Sequence, residues 1–284
     1  MVGGANLDVV ARPGARAVPA TSNPGRVLAT PGGVGRNIAE NLARLGTATA
    51  LVTAVGASDG DHILGTCAEA GVDLTHVRRV DGGSSHYVAM LDHDGELVGA
   101  VADMSAIAAL GPEDLPAEVI AGARLLVIEG NLRADTADRA CALAAAGGIP
   151  VVIDPVSAPK AQVLTGILGK HPVHCLSAGA EELAVFGAAE DLLDVVEVVW
   201  ERNGPAGSTL HTRAGRHRLA SLPTDVVDVT GAGDSMLAAW CHATLAGGDP
   251  VEAGRYAHAA AALTVASGDT VRPDLSDPLV RSLL

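Results

Sequence analysis

Aromatic side chains are almost missing from this chain: one Phe, two Tyr and two Trp make 2 % of its 284 residues. Without them there is no platform on which the bases of a single-stranded nucleic acid could stack. An excess of positive charge is missing too. Lys and Arg number 19 against 33 Asp and Glu, a formal net charge of −14, which argues against binding a phosphate backbone. The four cysteines, Cys67, Cys141, Cys175 and Cys241, form no CxxC pair and have no histidines at zinc-like spacing. Reduced thiols in a cytoplasmic protein are therefore expected. No apolar run approaches the length of a membrane span, and the opening residues Met1-Val-Gly-Gly-Ala-Asn6 lack the basic and apolar regions of a signal peptide. What is present is a 48 % hydrophobic chain whose core must be built from Ala, Val and Leu. Its length suits one large α/β domain or two smaller ones. A small-molecule enzyme fits this balance best.

Along the chain, Val2 to Leu7 is expected to be a first strand ending at Asp8. It starts almost at Met1, so this strand is short or the true start lies upstream. Residues 9–30 carry Pro, Gly, Ser and Asn with little periodicity and are expected to be irregular or edge structure. The apolar positions after Gly35 suit one helix face, and Gly46 is a natural stop. Ser85 to Leu91 and Glu96 to Asp103, joined by Asp92-His-Asp-Gly95, predict a hairpin outside the main sheet. Thereafter strands and helices alternate, with strands expected at 124–129, 150–154, 173–176 and 195–200. A second hairpin follows at 208–220, and helices at 232–245 and 251–267 close the chain. Repeated βα units predict a parallel sheet covered on both faces.

Two stretches carry chemistry. Val227-Asp228-Val229-Thr230-Gly231-Ala232-Gly233-Asp234-Ser235 leads from β-branched residues through a small-residue turn into an apolar, helix-like run. The free amides of a helix starting there form an anion site without a lysine. Asp234 in its first turn either favours the helix N-terminus or takes a proton from an attacking hydroxyl. The other stretch is Thr30-Pro-Gly32-Gly33-Val-Gly35-Arg-Asn37. It lacks GxGxxG spacing, and neither a P-loop, an HExxH nor a GxSxG elbow occurs anywhere. Polar residues at expected strand ends, Asn6, Asp8, Asp103, Asn131 and Asp154, are singly turn formers or caps. Together they describe a hydroxyl-binding pocket facing a phosphate site, since ligands collect outside strand ends in open α/β sheets.

Pro31-Gly-Gly-Val-Gly-Arg-Asn-Ile-Ala-Glu-Asn-Leu-Ala-Arg-Leu-Gly46 and Asp228-Val-Thr-Gly-Ala-Gly-Asp-Ser235 resemble, in order and spacing, the two signatures of the ribokinase-like (PfkB) carbohydrate kinases. The resemblance covers essentially the whole chain. Within the family, Ser22-Asn-Pro-Gly25, Ala102-Asp-Met104, Asp154-Pro-Val-Ser-Ala-Pro-Lys160 and Pro273-Asp-Leu-Ser276 look most like the branch that phosphorylates pseudouridine. The resemblance implies one ribokinase-like α/β domain over 1–284, its mostly parallel sheet flanked by helices. A small β lid from about 9–30 and 84–104 covers the sugar and pairs two subunits into a homodimer. It implies phosphorylation of a 5′-hydroxyl by ATP, with magnesium as cofactor, no nucleic-acid partner and no membrane partner.

For matched positions it implies roles. Asp234 is the base, and the amides of Gly231, Ala232 and Gly233 form the anion hole. Asn6, Asp8, Gly32, Gly33, Asn37, Asp103, Asn131 and Lys160 face the acceptor. Arg202, Asn203, Gly204 and Gly207 lie near ATP. Glu182 meets magnesium through water, and Asp228 and Thr230 match a monovalent-cation site for potassium. Two departures stand out. Where the family carries Asn-x-x-Glu this chain has Gly179-Ala-Glu-Glu182, and its Thr-x-Gly is replaced by Arg202-Asn-Gly204. Rival expectations are a kinase of another nucleoside or sugar, of the ribose, adenosine or fructose type, and a catalytically weak binding protein on the same fold.

Overall fold

The computed structural model describes residues 1–284. Its strands, in chain order, are β1 (Asn6–Pro13), β2 (Gly25–Gly32), β3 (Thr53–Gly56), β4 (Val77–Val80), β5 (Ser85–Leu91), β6 (Leu97–Asp103), β7 (Leu126–Glu129), β8 (Val151–Asp154), β9 (Val173–Gly179), β10 (Val196–Arg202), β11 (Ser208–Thr212) and β12 (Gly215–Leu219). Six of them form one sheet in the order β12-β11-β10-β9-β8-β7. Strands β7 to β10 run parallel, while β11 and β12 add an antiparallel hairpin. Val2 bridges both Ile128 and Val52, which extends this sheet through β3 to β4.

Alternation along the strands explains why both faces need helices. Ile128, Ile153, Leu176 and Val199 enter one core with Ala137, Ala140 and Ala144 of the helix Ala134–Gly147. Their neighbours Val127, Val152, Cys175 and Val198 enter the other. There they meet Ile38 of the helix Val34–Arg44, Leu237 of the helix Ala232–Leu245 and Ala257 of the helix Pro250–Val265. The scarce aromatics are spent here: Trp200 and Trp240 are fully buried with ring centroids 6.0 Å apart. No helix is long and apolar enough to cross a membrane.

A second sheet, ordered β2-β1-β5-β6, stands apart from the first. The expected hairpin is present as β5 and β6. One expectation is corrected and another is met in part. The run Val2 to Leu7 is not one strand: Val2 belongs to the large sheet, and β1 begins at Asn6 in the small one. The chain passes between sheets at Gly3-Gly4, where a Cβ on Gly3 would stand 2.7 Å from Glu129 Cγ. For residues 9–30 the edge alternative holds in β2, which borders the small sheet, whereas the irregular one does not hold throughout, because β1 and β2 pair over eight residues each. Most of β2 is exposed, so burial imposed no apolar alternation on its sequence. Beyond expectation, β10 runs on past Trp200 to Arg202, and a short helix Asp277–Arg281 follows the two that were foreseen.

This topology aligns four strand ends. In the large sheet Glu129 lies beside Asp154, and Gly179 beside Arg202.

Candidate active site

The helix Ala232–Leu245 is preceded by Gly231, whose φ of 77° is left-handed. A Cβ at Gly231 would come 2.0 Å from the carbonyl oxygen of Thr270, so only glycine fits. The first intrahelical bond runs from Ser235 N to Gly231 O at 2.9 Å. The amides of 232–234 therefore precede the ladder, and Ala232 N turns back to Val229 O at 3.2 Å. Thr264 Oγ1 donates to the buried Ser235 Oγ at 2.8 Å and ties this turn to the next helix.

Asn37 comes from the other glycine-bearing start, where Gly33 has φ 99°. Its Nδ2 donates to Asp234 Oδ2 at 2.7 Å, joining stretches 197 residues apart. Its Oδ1 accepts from Arg36 Nη1 at 2.5 Å, which fixes the amide's orientation. Buried Arg36 is itself paired with Glu40. Burial pushes the Asp234 carboxyl up to about 7, and the Asn37 hydrogen bond opposes that shift. Asp234 keeps some exposure towards a cavity. A ligand filling that cavity would complete its desolvation.

Around this pair lie further polar groups. Asn6 Nδ2 donates to Asp8 Oδ1 at 2.6 Å, and a Cβ on the facing Gly32 would stand 2.1 Å from Asp8 Oδ2. Burial raises the Asp8 pKa. Glu129, absent from the expected set, is fully buried. It accepts from Gly4 N at 2.6 Å, Asn131 N at 2.9 Å and Asn131 Nδ2 at 2.6 Å. Burial pushes it up to about 7. Lys160 Nζ donates to Asn131 Oδ1, and burial lowers the lysine's pKa.

Beyond Asp234 a cavity of about 740 Å³ runs along the strand ends. Asp154, Glu182, Arg202 and Gly233 line its polar end, and Leu222, Pro223, Val226, Ala261 and Val265 its apolar end. Arg202 Nη2 is 3.1 Å from Asp154 Oδ2. Asp154 Oδ1 also accepts from Val156 N at 2.8 Å, which holds Val156 at φ 69°, a costly backbone for a β-branched residue. Glu182 uses one carboxylate oxygen to accept from Gly179 N. His258, also missed, is buried on the cavity wall with Nε2 2.8 Å from Ser208 Oγ, and burial lowers its pKa. A second cavity of about 580 Å³ lies near the start of β7 and before β3. No carboxylate lines it; His242 and Arg124 are its ionisable side chains.

Not every expected residue joins the cluster. Asp103 is exposed at the end of β6, where its Oδ1 accepts from Ser105 N at 2.9 Å. Asp228 and Thr230 are exposed before the helix, linked by Thr230 N donating to Asp228 Oδ1 at 2.8 Å. Gly204 and Gly207 line the cavity, whereas Asn203 contributes a backbone bond to Gly207 O at 2.9 Å.

Residues 1–277 match the model of the pfkB family carbohydrate kinases. The chain belongs to that family. Among pfkB relatives, a pseudouridine kinase of Escherichia coli is 32 % identical over 302 residues, covering 100 % of this chain and 95 % of the relative. An ATP-dependent ribose-1-phosphate kinase of Halopiger xanaduensis is 32 % identical over 241 residues, covering 82 % and 79 % of the two chains. In fold, a putative ribokinase II of E. coli, solved with ATP and Mg²⁺, superposes with a TM-score of 0.87 at 19 % identity, covering 99 % and 96 %. A PfkB-family phosphotransferase is thus the setting for the Asn37–Asp234 pair.

Proposed function

We propose that this phosphotransferase transfers the γ-phosphoryl group of ATP to the 5′-hydroxyl of pseudouridine. The observation that carries the transfer is the Asn37–Asp234 bond of 2.7 Å at the junction of a polar pocket and a nucleotide-sized cavity. The amides preceding the helix ladder supply fixed dipoles where negative charge builds up. Asp234, once ionised, accepts the proton of the attacking hydroxyl. Asp8 and Asn6, joined by their hydrogen bond and given room by Gly32, would receive sugar hydroxyls, and Asn131 and Lys160 the base. The apolar end of the cavity suits an adenine ring, with His258 and Gly207 on its wall.

Magnesium fits this donor set as an ion held mainly by phosphates and waters, because Glu182 keeps one carboxylate oxygen outside its own helix cap. When bound, it would offset charge on the donor phosphates. A potassium site at Asp228 rests on the one carboxylate oxygen left outside its turn bond; Thr230 is engaged there through its backbone amide. The small sheet would act as a lid over the sugar and as the contact between two copies. Four free, buried thiols suit a cytoplasmic protein.

Full-length similarity to a pseudouridine kinase supports the acceptor. Similarity to a ribose-1-phosphate kinase supports a second reading, a phosphorylated or free sugar. ADP release with ATP, magnesium and pseudouridine, uridine, adenosine, ribose, ribose 1-phosphate or fructose separates them. Pseudouridine is expected to give the highest kcat/KM. Preference for another acceptor would overturn that choice, and turnover of none would favour a binding protein.

A further inference from the structure

The cavity's polar end has an unusual charge balance. Asp154, Glu182 and Asp234 line it, and Arg202 is the only Lys or Arg that does. A triphosphate entering there meets three carboxylates and one guanidinium. Backbone register dictates where that guanidinium sits. Arg202 is the last residue of β10 and pairs with Gly179, over which the Glu182 carboxylate is folded. From there its guanidinium reaches Asp154 at the end of β8 and Gly233 at the helix start. A Cβ on Gly233 would stand 3.0 Å from Arg202 Nη1, so the guanidinium abuts the glycine whose amide belongs to the anion site.

Its tethers are few. One is the 3.1 Å ion pair with Asp154. The others are long, 3.4 Å each, to Gly233 O and Ser177 O. Asp154 is anchored separately through Val156 N, so it remains in place if the arginine turns away. A guanidinium has five donors in a rigid fork, and phosphoryl oxygens compete well for them.

We propose that Arg202 is a catalytic residue that neutralises the transferring phosphoryl group from within the same chain, with Asp154 as its counter-ion in the resting enzyme. This rests on the kinase reading above. The acceptor oxygen forms a bond to the γ-phosphorus as the bond from that phosphorus to the bridging oxygen of ADP breaks. The electron pair leaves with ADP, and the hydroxyl proton goes to Asp234. Arg202 forms and breaks no covalent bond in this step. It follows the charge as the phosphoryl group passes between donor and acceptor, where an arginine contributes most.

The test compares wild type, Arg202→Ala and Arg202→Lys with pseudouridine, or with whichever alcohol of the panel turns over fastest. Arg202→Ala is expected to lose about 10²-fold or more in kcat while the acceptor KM stays within about threefold. Added guanidinium ion should return at least about tenfold of that loss, which a purely structural defect would not allow. Arg202→Lys should fall between the two, because a point charge lacks the fork. Calorimetric titration with ATP and a melting curve verify that each variant is folded and still binds donor.

An Arg202→Ala enzyme with kcat near wild type and only a raised KM for ATP would overturn the inference. So would a loss that guanidinium does not restore. In both cases the kinase reading stands, because the wild type is active. A wild-type chain that phosphorylates no alcohol removes that reading and this inference together.

Discussion

Asp234 holds its proton to higher pH than an aspartate in water, because burial raises its pKa from the usual 3.8 to about 7. As the base it must be ionised, so kcat is expected to rise with pH through about 7 and then level off. Stability runs the other way. Between the two pKa values the folded chain binds more protons than the unfolded one. The contribution of Asp234 is therefore fully present below 3.8 and lost as pH rises through about 7. Glu129 moves in the same direction for the same reason. Asp234→Asn should cut turnover by about 10²-fold or more while ATP still binds. The same variant should melt higher than wild type at pH values above about 7, and this advantage should vanish under acid conditions. Melting curves across pH check it, and an unaltered difference would mean that Asp234 carries no desolvation penalty.

At the scale of the element, the helix start is the part most sensitive to a single methyl group. Gly231→Ala places a Cβ 2.0 Å from a backbone carbonyl at φ 77°. A loss of at least ~1–3 kcal/mol in denaturant unfolding is expected. Gly233→Ala meets the far end of a flexible side chain at 3.0 Å and sits in a helix that favours alanine. It should leave stability nearly unchanged and lower kcat by displacing Arg202. Equal destabilisation by both changes would contradict this geometry.

Legibility in the sequence followed burial. The helix Ala232–Leu245 and the strand β5 have the bounds that apolar periodicity predicts, because each packs a buried face. Strand β4, with Arg78 and Arg79 in four residues, and the exposed β2 gave no such pattern. Strand β10 extends to Arg202 through its pairing with β9 and β11. In the site, the glycine turns announced Asp234 and Asn37. Glu129 closes a short apolar strand as Asp154 closes the next one, in register, and that repeated ending was the available signal. Nothing local could show that both carboxylates are buried. His258 sits within an alanine-rich helix and reads there as an ordinary helical residue.

At the scale of the whole molecule, the small sheet leaves apolar side chains uncovered. Val27 is 71 % exposed and Val101 69 %, and the cross-strand register puts the exposed Val88 and Met90 on the same face between them. Such a face on an otherwise charged surface suits a second copy of the chain. Sedimentation at micromolar concentration is expected to give a dimer, and Val27→Glu with Val101→Glu a monomer. A wild-type monomer would refute the pairing. The hydroxyl that gains phosphate defines the function. Phosphorus NMR of the products formed from ATP, magnesium and an equimolar mixture of the candidate alcohols tests it most directly. Pseudouridine 5′-phosphate is expected to be the main ester. A dominant ester of another alcohol, or none at all, would contradict the account.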